Sequence, residues 1–465
     1  MSLFHPQYIE HQADWLEFAL SYRGGKKYIH NYLFKHEQEK AEYFDVRLQR
    51  AIYPNHVRAV VDTYAAHLYR EAVSRETTSE VLQGMWEDMD LLGTPADELY
   101  EEAAQSVQRG GRCAIVVDKW TPEQALTRAQ ETELGIRPYC YVVDTLDILD
   151  WQTDRRGELV WVSIREDFDT TREPMAEETG EGFMVRVWTR ADWRLYRVQA
   201  EESEEDGGST DLKATLVETG EHALGVVPVV MCYWGKQDRR ALIADSAIKD
   251  LAPMGRRLMN LTSLIDEQIY QYVFSILAVP QSTWEIIHTA DWSVSGGIPF
   301  ADDASKAPFY LSPDVSQIEA IGKQIRKTEG DIRQLSGLGR VNEETKHVST
   351  GIAMSYLTLD KDALLAKFGQ RMARVESQVD AIALRWMGRT EEATRTYPRS
   401  FDPLDLKDEL DAAMRMVSLG VEGQSLQEVR AQALMSYLGS RVTPERLTEL
   451  LDEIRKNPGR LDGLT

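Results

Sequence analysis

The sequence predicts an α+β chain, rich in helix, with a block of strands set between two helical regions. Three observations carry this. Apolar residues recur at helical spacing through most of the first 110 residues. From residue 112 to 234 the pattern changes to short runs of Val, Ile, Tyr and Trp bounded by Gly, Asp and Pro. From Asp245 onward helical spacing returns, in segments long enough to span tens of ångströms.

Taken in order, Asp14 to Tyr22, Ala41 to Ala51, Asn55 to Arg70 and Pro95 to Gln108 are expected helices. The third follows Pro54, has Asn55 as N-cap and places Val57, Val60, Val61, Tyr64, Ala65 and Leu68 on one face. The fourth stops at Gly110-Gly111. Strands are expected at Arg112 to Asp118, Arg137 to Val143, Glu158 to Arg165, Phe183 to Thr189, Trp193 to Val198 and Val226 to Trp234. Two acidic connectors, Glu166 to Gly182 and Glu201 to Asp211, read as solvated hairpin loops. A long helix is expected over Ser246 to Phe274, with Pro253 and Gly255 predicting a kink or a late start. An irregular stretch with Trp284, Trp292 and several prolines follows to Pro313. Helix resumes over Val315 to Ser336, breaks at Gly337-Leu338-Gly339, and returns as a very long helix from Ile352 to Met387. Three shorter helices are expected from Phe401 onward.

With 53 Lys+Arg against 76 Asp+Glu the net charge is −23, the opposite of a nucleic-acid coat. Residues 151 to 235 alone carry 18 acids against nine bases. No run of about 18 apolar residues occurs, so no membrane-spanning helix is expected. The first residues mix acids with aromatics and are not expected to act as a signal peptide. Cys113, Cys140 and Cys232 lie in apolar strand-like runs without CxxC spacing and are expected to be buried, reduced thiols.

Motifs for catalysis are missing. The pairs Gly25-Lys26, Gly235-Lys236 and Gly322-Lys323 are not followed by Ser or Thr, so no P-loop forms. Gly337-Leu338-Gly339-Arg340-Val341-Asn342 lacks its last glycine and follows a helix, against a dinucleotide site. His36-Glu37 has no second histidine, and Pro313-Asp314 with Glu319 and Lys323 has the wrong spacing for a nuclease. The aromatic residues at 151, 161, 188, 193, 196, 233 and 234 alternate along strands as sheet core does. No cofactor, no metal and no enzymatic activity are expected.

What remains is the order of parts: two long helices flanking a 39-residue excursion, then a glycine-broken loop and a third long helix. This order resembles that of tailed-bacteriophage portal proteins. Asn55-His56-Val57-Arg58-Ala59-Val60-Val61-Asp62 is similar to a portal N-terminal helix, and Ala103 to Asp118 to its helix, glycine break and strand. His222-Ala223-Leu224-Gly225-Val226-Val227-Pro228-Val229-Val230 resembles the portal LGxIPVV strand, and Asp245 to Leu251 the opening of the first stem helix. Val348-Ser349-Thr350-Gly351-Ile352-Ala353 resembles the opening of the long wing helix, with Thr350 at the usual Ser position. The resemblance runs from about residue 41 to 438.

It implies a portal fold: a wing at 1–245, stem helices at 246–274 and 315–336, a small α/β clip at 275–314, a tunnel loop at 337–350, a long wing helix at 351–400 and a helical crown at 401–465. It also implies a role. Portals form rings, usually of twelve, at one capsid vertex, where double-stranded DNA passes in packaging and ejection. The expected partners are other copies of the chain, non-specific double-stranded DNA, the terminase large subunit, head-completion or adaptor proteins, and the major capsid and scaffolding proteins; no membrane is expected. The expected location is the virion, after assembly in the host cytoplasm.

Under this resemblance Arg340, Lys346 and His347 in the tunnel loop would face DNA, and Lys323, Arg326, Lys327 and Arg333 would line the stem channel. Residues 315 to 350 carry six bases against five acids, near neutrality in an acidic chain. The same charges are also what an ordinary solvated helix displays. Trp284 and Trp292 would be partner contacts in the clip, or its own core. Two other readings stay open: an intracellular enzyme with an acidic site in the β-rich segment, and a capsid or tail adaptor that does not surround DNA.

Overall fold

The change of period at Gly110-Gly111 is where the chain turns from helix to sheet. The computed structural model describes residues 3–120, 130, 133–166, 182–202, 210–235, 241–273, 276–284, 297–301, 307–311, 315–336, 351–398, 431, 446 and 449–452. Two compact units are present, Met1–Arg399 and Ser400–Thr465. In the second, Ala431 is buried and Arg446 pairs with Glu449 at 2.6 Å; the rest of the expected crown helices lies outside the described residues.

The first unit opens with α1 (Pro6–Arg23), α2 (Gly25–Tyr32), α3 (Ala41–Arg50) and α4 (His56–Leu68). Helix α1 starts eight residues before the sequence-based expectation. Pro6 occupies its first turn, where its missing N–H costs nothing, and the His5 ring accepts from the Gln7 amide at 3.2 Å. Asn55 caps α4 as expected, its side-chain oxygen accepting from the Arg58 amide at 2.8 Å. Next come β1 (Ser74–Thr77), α5 (Glu80–Glu87) and α6 (Ala96–Gly110). At Gly111 φ is 78°, and a Cβ there would run into the Ala244 carbonyl, so the break demands glycine on both counts.

The β-rich segment holds β2 (Arg112–Asp118), β3 (Tyr139–Val143), β4 (Ile148–Thr153), β5 (Leu159–Glu166), β6 (Gly182–Thr189), β7 (Asp192–Glu202), β8 (Thr210–Glu221) and β9 (Val229–Tyr233). They form two antiparallel sheets, in the order β3-β2-β9 and β4-β5-β6-β7-β8. The expected loop from Glu201 to Asp211 is corrected at both ends: β7 runs to Glu202 and β8 begins at Thr210, pairing Glu202 with Thr210. The expected connector from Glu166 to Gly182 has strand at both of these residues, and 167–181 lies outside the described residues.

Helix α7 (Leu251–Val273) takes the late start that Pro253 predicts; the preceding residues 247–250 form a turn. The excursion that reads as irregular contains β10 (Ile276–Pro280), β11 (Gly297–Phe300) and β12 (Phe309–Leu311), a three-stranded sheet centred on β10. Then α8 (Val315–Leu335), α9 (Gly351–Trp386) and β13 (Ala393–Thr396) follow; β13 pairs antiparallel with β1.

The main core gathers Trp15, Phe18, Val57 and Val61 from α1 and α4, Ala114 and Val116 from β2, and Trp151, Val162 and Trp188 from the five-stranded sheet. Leu251, Ala252 and Leu258 of α7 and Ile332 of α8 join it. All three cysteines are buried and free, with Cys113 opposite Cys232 in the β2–β9 register.

Candidate functional site

Helices α7 and α8 are the elements to which the portal resemblance assigns the stem. They run antiparallel: a Cβ at Gly322 would lie 3.9 Å from Ile265, and Arg257 donates to Gln324 at 3.3 Å. Both core-anchored ends lie at the same side, the start of α7 through Leu251 and Leu258, the end of α8 through Ile325 and Ile332. Tyr64 of α4 closes that anchorage by donating its hydroxyl to the Ser336 carbonyl at 2.7 Å. The other ends lead to the β10–β12 sheet, which has its own small interior of buried Ala278 and Val279 and a Phe300–Phe309 ring contact at 5.7 Å.

Helix α8 is two-sided. Ile318, Ile321, Ile325, Thr328 and Ile332 recur at helical spacing on the covered side. Lys323, Arg326, Lys327 and Arg333 are all exposed, and at about 100° per residue they fall within an arc of about 120° opposite that stripe. The structure therefore brings these four bases onto one solvent face. Arg333 pairs with Glu329 one turn back at 3.6 Å. Arg340, Lys346 and His347 lie outside the described residues, as does Trp292. Trp284 sits half-buried just after β10.

Helix α9 is fixed to the body at its C-terminal half. It packs on β9 and β2, and the Trp386 indole donates to the Val117 carbonyl at 2.8 Å. On its other side a buried ionic cluster ties it to β1 and β13. Arg75 donates to Glu376 at 2.9 and 3.1 Å and to Asp97 at 2.6 Å. Arg395 donates to Asp380 at 2.6 Å, Trp86 donates to Asp380 at 3.2 Å, and Tyr397 bonds Glu376. Burial pushes the Asp380 carboxyl up to about 6, against the pull of the Arg395 charge. Neither this cluster nor strands β1 and β13 is legible in the sequence, because Arg75 and Glu376, Trp86 and Asp380, and the two strands lie some 300 positions apart. The turn from Asp88 to Thr94, not among the elements expected above, does carry a local signal in its Asp-Leu-Leu-Gly spacing.

Among the described residues no three His, Cys, Asp or Glu side chains converge as metal ligands, and no helix is long and apolar enough to cross a membrane.

Comparison with known proteins gives one kind of match. No family model and no curated protein matches the chain. Among solved structures it is similar to a chain of "Neck of native GTA particle computed with C12 symmetry", at TM-score 0.35 and 11% identity, over 87% of this chain and 92% of that one.

Proposed function

We propose that the chain is the subunit of a phage-type head-to-tail connector, a portal ring around double-stranded DNA. What supports the reading is the order of parts: two antiparallel helices rooted in the main core, a separate small sheet at their far ends, and a long helix returning onto β9 and β2. That order matches the succession of portal-like motifs along the sequence. In this reading α7 and α8 are the stem, the β10–β12 sheet is the clip where terminase and later head-completion proteins dock, and residues 337–350 are the tunnel loop. The exposed bases of α8, with Arg340 and Lys346, meet DNA phosphates transiently in an otherwise acidic channel. The protein does no chemistry of its own; the terminase supplies it.

Native mass spectrometry and negative-stain imaging of the full chain test this. A closed ring of several hundred kDa is the expected result. A species of 53 kDa alone, at every concentration and salt tried, would sink the reading. In filled particles, a photo-cross-linker at Lys346 is expected to give DNA adducts; an assembled ring without adducts would leave the adaptor reading in its place.

A further inference from the structure

We propose that neighbouring copies in this assembly interlock through an apolar knob on one flank and an apolar groove on the opposite flank, an inference that rests on the ring reading. The knob is the turn between α5 and α6. Leu91 and Leu92 are 45% and 88% exposed, and Leu91 holds φ at 66°, a conformation that leucine rarely adopts. The turn is built to keep them there. Asp90 accepts from the Leu92 amide at 2.9 Å and from the Thr94 amide and hydroxyl at 3.2 and 2.7 Å. Asp88 accepts from the Gly93 amide at 2.9 Å, and the Met89 amide donates to the Thr94 carbonyl at 2.7 Å. The turn is also fastened to the edge of the three-stranded sheet, since Cys140 of β3 donates to Met89 at 2.7 Å and Arg137 pairs with Asp88 at 2.7 Å. A rigid turn that spends backbone strain to hold two leucines in water points to a contact made elsewhere.

The groove follows β9. It has a volume of about 530 Å³ and is walled by Val226, Val227, Met231 and Tyr233 on one side and Ile382 of α9 on the other. Because the sheet order is β3-β2-β9, the knob sits beyond one edge strand and the groove along the other. Two different patches on opposite flanks are what a head-to-tail contact needs, and such contacts close into rings. The charges agree. Beside the knob lie Glu87, Asp88 and Asp90 with Arg137, whereas on the groove rim Arg190 is paired with Asp154 at 2.8 Å and Arg385 is exposed and makes no ion pair among the described residues. An apolar groove with the unpaired Arg385 on its rim suits an acidic-flanked apolar element, and the knob of a second copy, with Glu87 and Asp90 beside it, is one.

Disulfide trapping tests the contact. The native cysteines are all buried, so Leu92→Cys and Val226→Cys report on their own. A mixture of the two single variants is expected to give a cross-linked dimer on a non-reducing gel, and the double variant a ladder of higher multiples. Leu92→Asp, at an exposed position, is expected to keep the wild-type thermal midpoint while raising the concentration for half-assembly by about tenfold or more. If wild-type rings form but no dimer is trapped and Leu92→Asp assembles normally, the contact is wrong and the ring reading stands. If the wild-type chain stays monomeric under every condition, the ring reading falls and the contact with it.

Discussion

Arg112 is fully buried without a carboxylate beside it. Its guanidinium lies 4.6 Å from the Trp15 ring and 4.3 Å from the Trp151 ring, and it donates to the Leu242 and Ile148 carbonyls at 3.1 and 3.2 Å. Burial pushes its pKa down to about 9, so it stays charged at neutral pH and is held by indole faces and backbone dipoles. Arg112→Ala is expected to cost about 3 kcal/mol or more, from the cavity between the indoles and two orphaned carbonyls. Arg112→Met, which refills the slot, is expected to cost less than half of that in urea denaturation. Asp380 makes the second residue-scale prediction. Its folded pKa of about 6 lies above the ordinary 3.8, so between about pH 4 and 6 the folded state keeps a proton that the unfolded chain releases. This group's contribution to stability is therefore fully present below about pH 4 and falls as pH rises towards 6. Asp380→Asn, which cannot ionise, is expected to remove this group's share of the fall in stability between about pH 4 and 6, whatever constant offset the lost Arg395 pair adds. Parallel stability profiles for the two proteins would refute this.

At the scale of elements, α8 has one covered and one exposed face. Replacing Lys323, Arg326, Lys327 and Arg333 together by Gln touches only exposed positions. Helicity is expected to persist, with a stability change of about 0.5 kcal/mol or less per site. Binding of duplex DNA at low salt, followed by fluorescence anisotropy, is expected to weaken, with a shallower dependence of log affinity on log salt. An unchanged slope would mean that this face does not meet DNA. The elements also show where sequence periodicity is informative. Residues 112–118 read as a strand because the run is apolar and bounded by glycine and aspartate, and strand β2 forms there. By contrast β8 is illegible in the sequence because residues 212–219 are exposed on both faces, which erases the alternation of half-buried strands. Strand β4 is hidden in the sequence because a register shift between Ile148 and Asp150 breaks its alternation, and α1 reads short because His5 is an unusual cap.

For the whole molecule, the acidic balance is a constraint on assembly. A ring of twelve would carry about −276, so its interfaces need apolar contacts that outweigh repulsion between like-charged bodies. Screening that repulsion is expected to favour the ring. Raising salt from about 0.05 to 0.5 M is expected to increase the assembled fraction in light scattering, the reverse of its effect on DNA binding. Assembly that weakened over that range would point to interfaces dominated by opposite charges, against the knob and groove. On the proposed reading the same balance would suit a conduit, an acidic body repelling phosphate while a few exposed bases meet it without holding it.

The sequence by itself determined the sites of the strand-bearing segment and the long helices, and the glycine break after α6. Those properties are written in spacings of two to four residues, which propensity and periodicity report directly. Only the tertiary structure decided which ends of α7 and α8 are rooted in the core, how Arg75 reaches Glu376 across 301 positions, and that the Leu91-Leu92 turn and the β9 groove lie beyond opposite edges of one sheet. Contacts at that separation depend on strand order and helix return paths, and neighbouring residues in the chain carry no record of them.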